Sequence, residues 1–557
     1  MHVMYTICKK FHLDMDKKFF AVLLLCISLL IGWQIFVVPF FIKDSEKQEA
    51  LARKYEYLEQ SVDLTEDTTL QNVNLIDIEN DLIRVRINPL GVILHEVNLK
   101  KFSDHNGEAV DLLYNKHNSP QNYKCIFGLH STSSEQLPED FYPSAQSNWN
   151  LYKATRDSAT LEFQNKYGVK FYISFEIGEN YVLSVKYWFD GKFPIKITTY
   201  PSVKIQKNTK EYQYSIMYFK NDKLYEIGQS DDERLAANDI KWLGIGEKYW
   251  LLATFFHQTS SMKFIAKSVE VEGTKLIGYR VMMRANNALS LGEKSEILLF
   301  MGPKQHSIVQ QCEEKYSLTL FRKNMDFGVL YFIVVPIYTL LMEINKLTNN
   351  FGVSIILLTI IIKTLLAPIA YSGAKNTRKI SLITPEIEKI KQQYGNDKIA
   401  AHNATMTLYK RYKIKPLRTL LMLLIQLPIF FSLYKIFSIA IEMRHAPFAF
   451  WITDLSIPDP SNIFNLFGLL NISLPSILNL NLLSLLMAGT LFIQQKVQMH
   501  GVPQSPEHSL AFKIMPVIML FVSLSFPSGL MIYWITSNVF SIVQQFYMRY
   551  ALNNIKL

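Results

Sequence analysis

The sequence predicts a polytopic α-helical membrane protein of six spans that carries a large all-β domain outside the membrane. Three observations lead there. Apolar residues make up 49% of the 557-residue chain, an ordinary share, yet they are crowded into 19–42 and 329–549. Between those blocks lies a long, water-compatible stretch in which apolar and polar residues alternate. The net charge of +10 gathers in the loops between apolar runs, which favours a membrane surface over nucleic acid as the partner of that charge.

The first span, FFAVLLLCISLLIGWQIFVVPFFI (19–42), follows Lys17 and Lys18. It exceeds the ~7–15 residues of a cleaved signal core and no small-residue cleavage site follows, so it reads as an uncleaved signal-anchor. Residues 1–18 precede it and a polar linker, 43–75, follows it. The later spans are 352–371, 417–441, 477–495, 512–526 and 529–547, each near the ~20 residues that a ~30 Å hydrocarbon core requires, with 512–526 at the short end. The segment FGVLYFIVVPIYTLLMEINKL (327–347) is a rival span. Its Pro336, Glu343 and Lys346, directly before a full span, favour an amphipathic helix lying in the interface.

Charge sets the direction of the spans. The loop 372–416, read with the start of the third span to residue 418, holds eleven Lys and Arg against three acids. The loop 442–476 holds only Arg444, and the turn at SFPSG is uncharged. The basic loop is therefore expected in the cytoplasm, together with both termini, the loop 496–511 and the tail 548–557. The large insert, 76–318, falls outside.

Within that insert LIRVRINPLGVILHEVNL (82–99), VKFYISFEIGENYVLSVKYWF (169–189) and FPIKITTYPSVKI (193–205) alternate with period two, broken by Asn, Gly and Pro. An all-β sandwich fits. Its Cys125 and Cys312 read as free thiols unless the fold brings them together; Cys8 and Cys26 lie at or before the first span, and no Cys pair has metal-ligand spacing. In the basic loop, Ile380, Ile383, Ile387, Ile390 and Tyr394 form one helical seam. The turn YGND (394–397) follows, and KIAAHNATMTLYKRYKI returns as a second helix. This helical hairpin is either a solvated spacer between two spans or a docking surface.

No phosphate-binding loop, zinc-helix or nucleophile-elbow motif is present, and no two carboxylates share a span. The expectation is a protein that is not an enzyme, without cofactor or metal. What stands out is polarity inside the bundle. Lys363 interrupts GVSIILLTIIIKTLLAPIAY (352–371), where a charge costs roughly 2.5–3.5 kcal/mol on insertion scales. Thr359 lies one turn before it on the same face. Gln426 lies in the third span, Ser523 in the fifth, Ser537 and Asn538 in the sixth. Isolated Ser and Thr usually serve helix packing. Lys363 either snorkels ~12 Å to the cytoplasmic face or projects into a wet cavity open to the cytoplasm.

Several stretches resemble the YidC/Oxa/Alb family of membrane protein insertases: LLIQLPIFFSLYKIF (423–437), RHAPFAFWITDLSIPDP (444–460) and FPSGLMIYWITSNVFSIVQQ (526–545). WLGIGEKYWLLATFF (242–256) and MGPKQHSIVQQ (301–311) look like the end of that family's periplasmic domain. The resemblance implies an anchor, a periplasmic β-supersandwich, an interfacial helix and a five-helix insertase core with a cytoplasmic coiled-coil hairpin. It implies a hydrophilic groove with a positive residue, usually arginine, five residues before the proline of KTLLAP. That position is Lys363. Thr359 and Gln426 match other groove positions, and Tyr533 with Trp534 match an aromatic pair in the last span.

Lysine keeps the charge but lacks the guanidinium fork. A mechanism that needs attraction survives the change, and one that needs bidentate carboxylate binding is put in doubt. The resemblance further implies the bacterial inner membrane and an insertase and chaperone for protein transport. The implied partners are nascent membrane proteins, the Sec translocon, the signal recognition particle and its receptor, ribosomes and lipid, with no sequence-specific nucleic acid. The short tail RYALNNIKL does not support strong ribosome tethering. Two other classes stay open: a polytopic transporter whose β domain captures a solute, although no internal repeat is seen, and a translocon scaffold without insertion activity.

Overall fold

A computed structural model describes residues 74–552, apart from a set of connecting stretches of which 463–479 is the longest. The expected N-terminus, signal-anchor and all but the end of the linker lie outside the described residues. The chain divides into two compact units at Met325/Asp326.

The first unit is β-rich. Strands β1 (Ile76–Glu79), β2 (Ile83–Asn88), β3 (Ile93–Ser103), β4 (Ala109–Asp111) and β5 (Asn122–Ser131) open it. Next come β6 (Asn150–Ala154), β7 (Ser158–Gln164), β8 (Lys170–Ile177), β9 (Val182–Asp190) and β10 (Ile197–Asn208). The set closes with β11 (Ser215–Lys220), β12 (Lys223–Ile227), β13 (Arg234–Gly246), β14 (Trp250–Val271), β15 (Thr274–Ala285) and β16 (Ser295–Pro303). All pair antiparallel in one connected sheet whose main path runs β1-β2-β3-β5-β10-β15-β14-β16-β9-β8-β7-β6, with β4 paired to β3 and the β11–β12 hairpin joined through β13 to β14.

Period-two sequence explains the strands. On β8, Phe171, Ile173, Phe175 and Ile177 are buried while their neighbours face outward. Between β11 and β12, Asn221 and Asp222 both take positive φ, as a two-residue hairpin turn requires. The sheet curls until its ends meet: Glu79 N–H donates to the Arg156 carbonyl at 2.7 Å, and Leu90 bridges Asn148. Helix α1 (His306–Lys315) and a 3-10 turn, Phe321–Met325, complete this unit. There Trp242 donates to the Thr319 carbonyl and packs edge-on against Phe321. Cys125 and Cys312 are both buried and both free.

The second unit is helical: α2 (Tyr331–Thr348), α3 (Phe351–Leu365), α4 (Ala367–Tyr394), α5 (Lys398–Arg411), α6 (Leu417–Ile439), α7 (Leu482–Met499), α8 (Pro506–Ser523) and α9 (Ser528–Leu552). Helix α2 lies within and just past the segment 327–347 expected from the sequence to be interfacial, beginning at Tyr331. It buries Val334, Tyr338, Leu341 and Ile344 on one face and exposes Phe332 and Leu347 on another.

The structure does not reproduce the count of six spans. Among the described residues no single helix is long and apolar enough to cross a membrane on length and composition; the pair α3 and α4 passes together, bent by 57°. The expected span 352–371 is therefore not one straight helix. Pro368 has no N–H to give the Thr364 carbonyl and its ring crowds that carbonyl, so the helix ends at Leu365 and restarts in a new direction. On α6 and α8 the apolar stretches among the described residues, Leu424–Ile439 and Ile514–Ser523, are shorter than a span.

The basic loop forms the expected hairpin. Ile383, Leu408 and Ile414 are its buried core, flanked by Ile380, Ile387, Ile390, Tyr409 and Tyr412. Asp397 starts α5 by accepting the Ala400 N–H at 3.0 Å. Tyr394, expected on the seam, is 38% exposed and outside this cluster. It is the last residue of α4, and Gly395, with φ of 47°, turns the chain before α5 begins.

Candidate functional site

Three helices bring one polar group of side chains together. Lys363 on α3 is 6% exposed, within a helix whose remaining buried face includes Ile355, Leu358 and Thr359. Its Nζ donates to Gln426 Oε1 on α6 at 3.4 Å and to Ser541 Oγ on α9 at 3.2 Å. Gln426 Nε2 donates in turn to the Tyr533 hydroxyl at 2.6 Å. The chain of contacts runs α3–α6–α9, with Gln426 as the link. Among the described residues no carboxylate lies within 4.0 Å of Lys363 Nζ, so its charge is met by dipoles alone. That leaves a positive potential unspent toward any anionic group that reaches it.

The sequence puts these groups in register. Thr359 and Lys363 are one turn apart on α3, and Tyr533, Ser537 and Ser541 succeed one another at one-turn intervals on α9. Thr359 is fully buried and its hydroxyl donates to the Ile355 carbonyl at 2.6 Å. Ser537 is buried one turn from Tyr533. Three other expected residues make their contacts elsewhere. Asn538 Nδ2 donates to Thr490 Oγ1 on α7 at 3.1 Å, and Ser523 Oγ donates to the Leu520 carbonyl of its own helix. Trp534 lies against Phe430 at 5.0 Å and Phe526 at 6.5 Å between ring centres. Ser541 was not among the residues expected from the sequence. The repeat of four from Tyr533 through Ser537 is the signal that points to it.

Around this interior polarity the exterior is apolar. Leu357, Ile360 and Ile361 on α3, Leu424 on α6, and Val539, Val543 and Phe546 on α9 are all exposed. On α8 the run Ile514, Val517, Ile518, Phe521 and Val522 is exposed as well. Polar groups inside and large aliphatic side chains outside invert the arrangement of a water-soluble bundle. Chemically the site has no nucleophile–base pair; it holds one cation, amide and hydroxyl dipoles, and a low-dielectric surround.

The end of the bundle at which α3, α7 and α9 begin is closed by the loop that follows α6. Asn350 caps α3 through the Val353 N–H and donates to the Phe448 carbonyl at 3.0 Å. Asp459, buried, accepts from the Leu483 N–H at the start of α7. The Leu455 and Ile457 carbonyls receive the Gly529 and Ser528 N–H groups at the start of α9. The loop thus satisfies N-terminal N–H groups of α7 and α9 directly, and holds the Asn350 cap of α3.

Known proteins are similar to this chain along most of its length. The model of the 60Kd inner membrane protein family matches residues 343–554, and that of the YidC periplasmic domain matches 75–340. Proteins named membrane protein insertase YidC from Rickettsia felis and Rickettsia akari are each 33% identical, over 95% of this chain and 98% of theirs. A solved structure of an active YidC insertase with its first transmembrane domain resolved aligns over 94% of this chain and 99% of its own, at 16% identity and a TM-score of 0.36. With identity of that extent to relatives matched along nearly their whole length, this chain belongs to the YidC/Oxa/Alb family.

Proposed function

We propose that this protein is a membrane protein insertase and chaperone of the bacterial inner membrane. The observation that carries the reading is a buried lysine, held by Gln426 and Ser541, inside a bundle whose outer faces are apolar. The helical hairpin faces the cytoplasm and the β-rich unit the periplasm, with both termini cytoplasmic and six spans in all.

A client's short acidic segment enters the groove from the cytoplasmic side, drawn by Lys363 through a poorly screening medium. Gln426, Tyr533, Thr359 and Ser537 replace part of its water, which lowers the cost of moving polar backbone toward lipid. The client's apolar helix then moves along α6 and α8 into the bilayer, driven by apolar burial of ~25 cal/mol per Å². No bond is made or broken, and no nucleotide is consumed. The Sec translocon, the signal recognition particle with its receptor, and ribosomes are partners that deliver or receive clients.

The test is depletion of the protein from cells while the insertion of a small one-span or two-span client is followed. Insertion fails on depletion, Lys363→Arg restores it and Lys363→Ala does not. Normal insertion after depletion overturns the function. Full rescue by Lys363→Ala removes the charged groove.

A further inference from the structure

The loop that closes the bundle also presents two aromatic rings outward. Phe450 is 94% exposed and Trp451 37%, with ring centres 6.0 Å apart. Phe450 has φ of 56°, a backbone conformation that bulky residues rarely adopt, so the loop holds this ring out rather than letting it fold inward. The turn is rigid. Phe448 and Ile452 pair through backbone at 3.0 Å, Leu455 N–H donates to the Ala446 carbonyl, and the Trp451 indole N–H donates to Asp459 at 3.0 Å. With its N–H satisfied inside the loop, Trp451 offers only ring carbon to the surroundings.

The other end of α9 carries Tyr547 and Tyr550, 72% and 85% exposed. From Ser528, which the loop grips, to Tyr547 the helix rises about 29 Å at 1.5 Å per residue, close to the ~30 Å of a hydrocarbon core. Between the two levels α9 exposes Val539 and Val543. Exposed aromatics at two levels, one hydrocarbon thickness apart and joined by an aliphatic stripe, match the aromatic belts of membrane proteins.

The geometry points to Phe450 and Trp451 as an interfacial anchor that sits in the headgroup–acyl boundary of the bilayer, at the end of the bundle where α3, α7 and α9 begin. This rests on the membrane reading above and continues the apolar surface of the bundle. The loop thereby does more than cap helices. By fixing the depth of the α3 N-terminus, the anchor fixes the depth of Lys363, about 18 Å further along that helix.

The test replaces Phe450 with a photoreactive benzoylphenylalanine in the full chain, reconstituted in vesicles of phosphatidylethanolamine and phosphatidylglycerol with alkyne-tagged acyl chains. A second chain carries the probe at Val543. Lipid adducts at both positions are the expected result. Adducts at position 543 with none at 450, or a protein cross-link at 450, overturn the anchor and leave the membrane reading standing. No adduct at either position overturns both.

Discussion

Exchanging Lys363 for Met keeps a long side chain in the bundle and deletes its charge. In the structure the Nζ already has Ser541 Oγ at 3.2 Å and Gln426 Oε1 at 3.4 Å, so a client carboxylate arrives as a second neighbour, ~8 Å away. With an effective dielectric of ~20 the attraction is roughly 332/(20 × 8), or ~2 kcal/mol. That corresponds to a factor of about 30 in rate or occupancy. Lys363→Glu turns the attraction into a repulsion of equal size, widening the gap to ~4 kcal/mol. The assay compares initial insertion rates of two matched one-span clients, one with an acidic leading segment and one with the acids changed to amides. Vesicles carrying each variant are read by protease protection. Lys363→Met should slow the acidic client about 30-fold more than its neutral twin, and Lys363→Arg should restore it. Equal slowing of both clients would show that the lysine acts through packing or hydrogen bonds, and the electrostatic reasoning would fail.

Other expectations come from the same structure. A Cβ at Gly352 would fall within the Phe448 ring, with that residue's own Cβ only 2.7 Å away, so Gly352→Ala should cost ~1–3 kcal/mol and lower the thermal midpoint in detergent; an unchanged midpoint contradicts the clamp. Ile383→Ala removes a fully buried side chain from the hairpin core, at ~2–5 kcal/mol, and should speed tryptic cleavage around Lys398; equal cleavage rates refute the packing. Burial pushes the Cys125 and Cys312 thiols up from 9.0 to about 12, so at pH 8 only about one in ten thousand is thiolate. Both should resist alkylation until the chain unfolds, and rapid labelling of the native protein argues against their burial. Because the folded pKa values are raised, the stability these thiols contribute is full below pH 9 and is lost as pH climbs toward 12.

Much of the site could be read from the sequence because burying a charge is expensive. Lys363 stands out against its apolar neighbours, and Gln426 and Tyr533 come with it. Ser541 did not stand out, since a serine in an apolar helix is ordinarily a packing residue and its four-residue spacing from Tyr533 and Ser537 is its one mark in the sequence. The break after Leu365 was legible in Pro368 but was lost in a hydropathy average taken over twenty residues. The β unit declared itself through period two, whereas the meeting of its ends depends on backbone pairs such as Glu79 with Arg156 that leave no sequence pattern. The loop 444–460 was recognisable as a motif, yet its contacts at the starts of three helices were not. Asp459 acts on Leu483 and Trp451, and Phe448 on Gly352, across separations that no local rule links.

The central claim is that this chain alone carries a client into lipid through a positively charged groove. Purified protein in liposomes free of any other protein, offered a one-span client without nucleotide, tests it most directly. The expected result is a protease-protected client above the level of empty liposomes, reduced in Lys363→Met and restored in Lys363→Arg. Protection no greater than in empty liposomes would contradict the claim and leave the protein a scaffold.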